Sequence, residues 1–296
     1  VSLSPSGLYG PILESITDRH RQLATDLGVS FEETCGEIID QLRRILTGSA
    51  LLQEVSLKQH ARILSSGEML STKLGCAFLR KMGHSAAWLD SRRVMRAVTE
   101  AHLPLHRQIL AARCEDTFDP AIVNTLADLN ADIVITQGFM ARSEDGHTVL
   151  LGRGGSDTSA TYLAAKTGAI GCEIWTDVPG MFTANPRKVP AARLLKHLSY
   201  EEAQEIASTG AKVPHPRCIA PARRYQIPIR IRCTNSPDMP STLIGGEFVS
   251  EGPQVKAMSA RLGVTLVSME TMGMWQQVGF LADAFAVFKR HGLSID

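Results

Sequence analysis

The spacing of apolar residues divides the chain into helical and extended stretches. Over residues 11–27, Leu13, Ile16, Leu23 and Leu27 recur at helical spacing with His20 among them, and Gly28 closes the segment. Ser30 and Glu33 then form a capping-box pattern ahead of Ile38, Ile39, Leu42 and Ile45, which predicts a second amphipathic helix. A third helical pattern runs from about Leu57 to Lys81, with an interruption expected near Ser65–Gly67 and a stop at Gly83. Short apolar runs at Ala86–Leu89, Ile133–Thr136, Thr148–Leu151, Glu173–Thr176 and Ile227–Cys233 read as strands. Helical patterns at 157–167, 200–208 and 215–225 lie between several of them, and Ser199 with Glu202 repeats the capping box. Apolar strands alternating with helices predict an α/β domain, with helices on both faces of a largely parallel sheet.

After Gly245-Gly246 the texture changes. The polar, glycine-containing stretch 247–254 reads as a linker. A strand-like Val264–Met269 follows, then a helix, Phe280–Lys289, with Leu281, Ala284, Phe285 and Phe288 at helical spacing, and Leu293–Asp296 opens like a further strand. So few elements bury little core by themselves. Residues 255–296 are therefore expected to be part of a second domain whose apolar helix face is exposed unless a partner chain covers it, giving a dimer or poor solubility, and 1–246 to be the main domain.

Composition narrows the class. Hydrophobic residues make up 44% and charged ones 21% of the 296, a globular balance that disfavours disorder. Lysine and arginine total 31 against 30 acids, a net charge of +1, which argues against a broad basic surface for nucleic acid. No apolar run approaches the ~20 residues needed to span a bilayer, and Val1–Gly10 lacks the pattern of a signal peptide. The expectation is a cytoplasmic protein that binds neither membrane nor nucleic acid. None of the six cysteines stands in a C-x-x-C pair, so they read as small core hydrophobes rather than zinc ligands or a dithiol. His102 and His106 are four apart, but Pro104 between them disfavours a helix that would align both rings on a metal.

The segment with most chemical content is 148–160, where an apolar strand runs into Gly152, Arg153, Gly154 and Gly155 and a helix begins near Ser156 or Asp157. Glycines let backbone approach a ligand closely, and a helix N-terminus presents unpaired N–H groups to an anion. The segment fits neither the P-loop nor the dinucleotide fingerprint, because it has no lysine and Asp157 occupies the last glycine position. An ordinary tight turn with Asp157 as helix cap would explain it equally. Arg153 and Asp157 add a fork for a carboxylate and a partner for an ammonium group, which together describe a site for a small zwitterion. Glu68, in an apolar helical stretch, is either a second acidic contact or a solvated surface acid. In 172–188 a strand delivers Thr176 and Asp177 to its carboxyl end, where open α/β sheets bind ligands. Asp177 can accept hydrogen bonds from ribose and Arg187 can reach phosphates, around a loop that Pro179, Gly180 and Pro186 stiffen beside Phe182; a rigid connecting loop is the plainer alternative. Lys212 lies just before a proline-punctuated turn into a helix.

Gly-Arg-Gly-Gly-Ser-Asp at 152–157, Thr-Asp-Val-Pro-Gly at 176–180, Asn-Pro-Arg at 185–187, Ala-Lys-Val-Pro-His-Pro at 211–216 and Ser-Ser-Gly-Glu at 65–68 stand in the order and spacing of aspartate kinases. The sequence resembles that family over about 55–246. The resemblance implies a three-layer αβα amino-acid kinase fold, followed by the start of an ACT-type regulatory domain. It implies transfer of phosphate from ATP, with Mg²⁺, to the side-chain carboxylate of L-aspartate, the first step of lysine, threonine and methionine biosynthesis. It places Glu68, Arg153, Gly154, Gly155, Ser156 and Asp157 on aspartate, and Thr176, Asp177, Phe182, Arg187, Lys212 and Val213 on the nucleotide. Lys212, Asp157 and the amides of Gly154 and Gly155 would act on the transferred phosphoryl group. A homodimer or higher homo-oligomer and an amino-acid feedback effector are implied with it. Met274-Trp275-Gln276-Gln277 resembles the kinase half of a fused aspartate kinase–diaminopimelate decarboxylase.

The sequence departs from the family at Phe182, where tyrosine is usual, and at Val213-Pro214. The larger departure is at the start. The family opens with a strand and a Lys-Phe-Gly-Gly motif whose lysine contacts the phosphates; here Val1–Tyr9 resembles instead the second strand and its serine-glycine loop, through Ser4, Ser6 and Gly7, with Tyr9 where threonine is usual. The chain is accordingly expected to behave as a fragment that binds its ligands but turns over little. Two rival readings remain: a kinase of the same fold acting on another acid, such as glutamate or acetylglutamate, or on a nucleotide, and a non-catalytic, amino-acid-binding regulatory subunit.

Overall fold

The computed structural model describes residues 9–209, 214–246, 255–260, 263, 265–269, 278–291 and 293. The chain divides into two compact units, Val1–Ala260 and Arg261–Asp296. Residues 255–260 belong to the first. Met258 N–H donates to the Thr183 carbonyl at 2.8 Å, and Lys256 pairs with Glu202 at 2.5 Å.

The first unit opens with three long helices, α1 (Tyr9–Leu27), α2 (Phe31–Leu52) and α3 (Leu57–Lys81). Ser30 caps α2, its side chain accepting the Glu33 N–H at 3.3 Å. Ser56 and Gln59 form a full capping box on α3. The expected interruption at Ser65–Gly67 is absent, and α3 runs unbroken. Ser65 and Ser66 return their hydroxyls to the Arg62 carbonyl and both are buried, so tertiary packing overrides the weak helix preference of the Ser-Ser-Gly run. Tyr9, expected in a loop, begins α1, and its hydroxyl meets Thr47 Oγ1 at 3.3 Å. Residues 1–8, with Ser4, Ser6 and Gly7, lie outside the described residues.

Eight short strands follow in three hydrogen-bonded groups. β1 (Ala86–Leu89) pairs in parallel with β2 (Ile133–Thr136), and β3 (Met140–Arg142) is antiparallel to β4 (Thr148–Leu150). The third group runs β5 (Cys172–Thr176), β7 (Ile229–Cys233), β8 (Thr242–Gly245), β6 (His197–Ser199), with β5–β7 and β6–β8 parallel and β7–β8 antiparallel. The parallel pairs are as expected, and the two antiparallel pairs make the sheet mixed.

Helices cover both faces. α3 packs on β1, β2 and β4, with α2 against it and α1 against both. On the opposite face, Leu89 and Val134 share a core with Ile122 and Leu126 of α5 (Pro120–Ala127) and Tyr162 and Leu163 of α6 (Gly155–Thr167). A larger core joins β5, β7 and β8 to α6, α7 (Tyr200–Thr209) and α8 (Pro216–Arg224). Ser199 and Glu202 form the expected reciprocal cap of α7, at 3.0 and 3.2 Å. A short α4 (Leu105–Leu110) begins directly after Pro104. The six cysteines are free and buried, as their neighbours predicted. An apolar cavity of about 290 Å³ lies between β2 and β5, lined by Val134, Thr136, Ala160, Leu163 and Cys172, and the Thr136 hydroxyl there has no hydrogen-bond partner.

In the second unit, α9 (Phe280–Arg290) covers the expected helix, and none of its residues is buried. Of the expected strand at Val264–Met269, residues 265–269 are exposed and in no strand, and Val264 lies outside the described residues. Residues 274–277 and 294–296 lie outside the described residues.

Candidate active site

The glycine segment is where strand becomes helix most abruptly. β4 ends at Leu150, and α6 begins five residues later at Gly155. Gly154 caps the helix with φ 63°, a left-handed conformation that costs an ordinary residue of order 1–2 kcal/mol. A Cβ there would fall 2.2 Å from the His215 ring, so the position admits glycine alone. Asp157 is not the cap that the sequence also allowed. It sits in the first turn of α6, and its carboxylate accepts the His215 backbone N–H at 3.2 Å. The negative charge lies where the helix dipole favours it.

Arg153 and Ser156 are exposed at the head of this helix, and Arg153 has no ion-pair partner among the described residues. Glu68, one turn from the buried Ser65 and Ser66, reaches the same place from α3. Its Oε1 accepts the Gly138 N–H at 3.2 Å, and Gly138 packs so closely on Ser156 that an added Cβ would lie 3.1 Å from the Ser156 Cα. Glu68, Ser156 and Asp157 are thus drawn around one helix N-terminus, with Arg153 just before it.

The second group lies at the carboxyl end of β5. α6 packs against β5 and precedes it in an antiparallel sense, so the helix start and the strand end share one edge of the fold. There Thr176 Oγ1 donates to Asp177 Oδ1 at 3.2 Å, and Asp177 is exposed. Phe182 is half-buried and bridges Leu194 across the following loop. Arg187 is exposed, its backbone N–H held by Asn185 Oδ1 at 3.0 Å. Lys212 and Val213 lie outside the described residues.

Three residues to which the sequence assigned no role complete the arrangement. His215 caps α8, its Nδ1 accepting the Arg217 N–H at 3.3 Å, while its ring packs on Gly154. Burial lowers its pKa below the usual 6.5, Arg217 and Arg153 push the same way, and Asp157 opposes them. Phe139, at φ 67°, is the centre of a three-residue turn that Met140 N–H closes onto the Gly138 carbonyl at 2.8 Å. Gln137 is fully buried behind that turn. His215-Pro216 is legible in sequence as part of the 211–216 motif; Phe139 and Gln137 act through contacts with residues far along the chain. Near Asp157, burial above all and then its charge push the Cys172 thiol up to about 11 and Cys218 well above its ordinary range, so neither is a nucleophile. Among the described residues no cluster of acids, histidines or cysteines could cage a metal ion.

The amino acid kinase family model matches residues 7–233, a span that takes in both the glycine-flanked helix N-terminus and the acid-bearing strand end. The chain belongs to that family. It is 35% identical to the lysine-sensitive aspartokinase 3 of Escherichia coli over 264 residues, covering 88% of this chain and 57% of that one. It is 31% identical to the chloroplastic aspartokinase 3 of Arabidopsis thaliana, covering 96% and 50%. In structure it resembles E. coli aspartokinase III solved with aspartate and ADP in the R-state, with a TM-score of 0.81, 30% identity, and 98% and 64% of the two chains covered. The chain spans between half and two thirds of the length of these relatives. Among the described residues no helix is long and apolar enough to cross a membrane.

Proposed function

We propose that this chain carries the catalytic unit of an aspartate kinase, which moves the terminal phosphoryl group of ATP to the side-chain carboxylate of L-aspartate. The observation that carries the reading is the gathering of Glu68, Ser156 and Asp157, with Arg153 beside them, at the N-terminus of α6. Arg153 would hold the substrate's α-carboxylate as a fork, and Glu68 and Asp157 its ammonium group. The side-chain carboxylate of aspartate, with an ordinary pKa near 3.9, is already an ionised nucleophile at neutral pH, so no general base is needed. Catalysis then rests on alignment and on stabilising charge on the transferred group, through the amides of Gly154 and Gly155 and through Lys212.

Thr176, Asp177, Phe182 and Arg187, with Lys212 and Val213, are assigned to the nucleotide. The exposed Asp177 at a strand end and the stiffened loop to Arg187 suit ribose and phosphate contacts. Mg²⁺ would neutralise phosphate charge when bound; with no protein cage among the described residues, it would be held largely through the nucleotide, as this ion commonly is. The second unit is assigned as the opening of an ACT-type regulatory domain that takes an amino-acid effector, and the uncovered α9 supports a homo-oligomer. Fusion to a decarboxylase rests on residues 274–277 alone; one bifunctional relative, from Haemophilus influenzae, 45% identical over 163 residues (55% of this chain, 20% of that one), is named instead as an aspartokinase/homoserine dehydrogenase.

The test is turnover of the full-length protein with MgATP and a panel of acceptors: aspartate, glutamate, acetylglutamate and UMP. Phosphorylation of aspartate in preference to the others is expected. Preference for another acceptor would move the reading within the family, and binding without turnover would favour the regulatory subunit.

A further inference from the structure

The turn at 137–139 joins the two walls of the candidate amino-acid site, and its anchor is a buried side chain outside that site. From the α3 wall, Glu68 accepts the Gly138 N–H at 3.2 Å. Toward the α6 wall, the Phe139 N–H donates to Ser159 Oγ at 2.8 Å, and its carbonyl accepts the Leu151 N–H at 2.8 Å. Its ring lies so near Gly155 that an added Cβ would be 3.0 Å from Cδ2. A bulky aromatic at φ 67° is strained, and such a conformation persists only where its surroundings over-determine it.

Gln137 supplies that determination. It is 0% exposed, and each half of its amide is used. Oε1 accepts the Ser91 N–H at 2.9 Å, while Nε2 donates to Thr72 Oγ1 at 3.1 Å and to the Leu89 carbonyl at 3.4 Å. Thr72 Oγ1 also accepts Trp88 Nε1–H at 3.2 Å and donates to the carbonyl of Glu68 itself at 2.7 Å. The network therefore ties the end of β1, the turn after it, β2 and the Glu68 turn of α3 to one amide. A satisfied buried polar network is rigid, and one missing partner strands the others.

We propose that Gln137 is a positioning residue for the amino-acid substrate, holding Glu68 and the 138–139 turn in register with the N-terminus of α6. The proposal rests on the aspartate kinase reading. It makes no demand on the strand-end loop assigned to the nucleotide, so the two substrates should respond differently to its loss.

The experiment uses the full-length enzyme and the variants Gln137→Met, Thr72→Val and the double variant, with KM measured separately for aspartate and ATP and melting followed in parallel. Gln137→Met keeps the length and loses the amide. It should raise the aspartate KM about tenfold while the ATP KM stays within about twofold. Thr72→Val should move the aspartate KM the same way by less, and the double variant should fall short of the product of the two, as coupled partners do. An unchanged aspartate KM in folded Gln137→Met, or equal rises for both substrates, would overturn the proposal. Should that variant fail to fold, Thr72→Val decides alone, an aspartate KM equal to the parent's counting against the idea. The parent is assayed first: no turnover with aspartate would remove the functional reading, and this inference with it.

Discussion

The Glu68 and Asp157 carboxylates each receive a backbone N–H from a residue 70 and 58 positions away, whereas the Asp177 and Asn185 side chains bond to groups one and two residues from themselves. The side assigned to the amino acid is thus knitted across elements, from α3, the 137–139 turn, α6 and the start of α8. On the side assigned to the nucleotide the backbone is also tied across the fold, by Thr234 N–H to the Thr176 carbonyl at 2.8 Å and Met181 N–H to Thr242 Oγ1 at 2.9 Å, but the side chains of Asp177 and Asn185 bond only to immediate neighbours. Long-range hydrogen bonds fix side chains relative to one another before a ligand arrives, and local ones leave a side chain free to adjust. The difference predicts tight geometric demands at the first side and tolerance at the second.

The largest effect should come where geometry is tightest. Gly154→Ala places a methyl carbon in the His215 ring and forces a left-handed φ on alanine. A displacement of about 1 Å in aligned groups can cost ~10² in rate, so kcat/KM should fall at least that far for both substrates, with circular dichroism unchanged. Near-parental turnover would mean that the turn is not rigid. A crossed pair tests the two sides against each other. Arg153→Ala removes a charge-assisted contact of about 1.5–3 kcal/mol and should lower kcat/KM for aspartate roughly ten- to a hundredfold, leaving ATP binding intact. Asp177→Ala should weaken ATP binding several-fold by calorimetry and spare aspartate, because the exposed acid anchors nothing in the core. If each variant affects the other substrate instead, the assignment of sides is reversed.

The smallest expected effect is on acid stability. The pKa of His215 is lowered in the fold, so below about 6.5 the unfolded chain binds a proton that the folded one resists. The stability this residue contributes is complete above that pH and is lost as pH falls through the lowered folded value. Gln or Ala at 215 would also lose the cap; His215→Asn keeps a capping oxygen and should flatten the stability profile between pH 7 and 5 in thermal melts. An unaltered profile would place the acid sensitivity elsewhere.

Much of this fold is written locally. Ala86–Leu89 and Ile133–Thr136 form strands with the bounds their apolar runs predict, and Ser199 with Glu202 closes the cap its spacing announces. β3 (Met-Ala-Arg) and β6 (His-Leu-Ser) are three-residue elements with no apolar run, β8 runs out into glycines, and α5 was missed. The Ser65–Gly67 break and a strand over 265–269 are not found. In α3, packing rescued a poor helical run, and in the second unit residues 265–269 have no strand partner among the described residues. In the site, Arg153, Ser156 and Asp157 were legible because they are contiguous, and Glu68 was left open between a contact and a surface acid. Gln137 and Phe139 were silent, because a buried amide and a strained φ acquire meaning only from what the fold brings against them.

The central claim is that a carboxylate of free aspartate, and specifically its side-chain carboxylate, is the phosphoryl acceptor. Acyl phosphates react with hydroxylamine to give hydroxamates, so the acceptor oxygen can be read from the product. The full-length enzyme incubated with MgATP, aspartate and hydroxylamine should accumulate aspartate β-hydroxamate in step with ADP release, and Arg153→Ala should suppress it. An α-hydroxamate, or ADP release without any aspartate hydroxamate, would contradict the account.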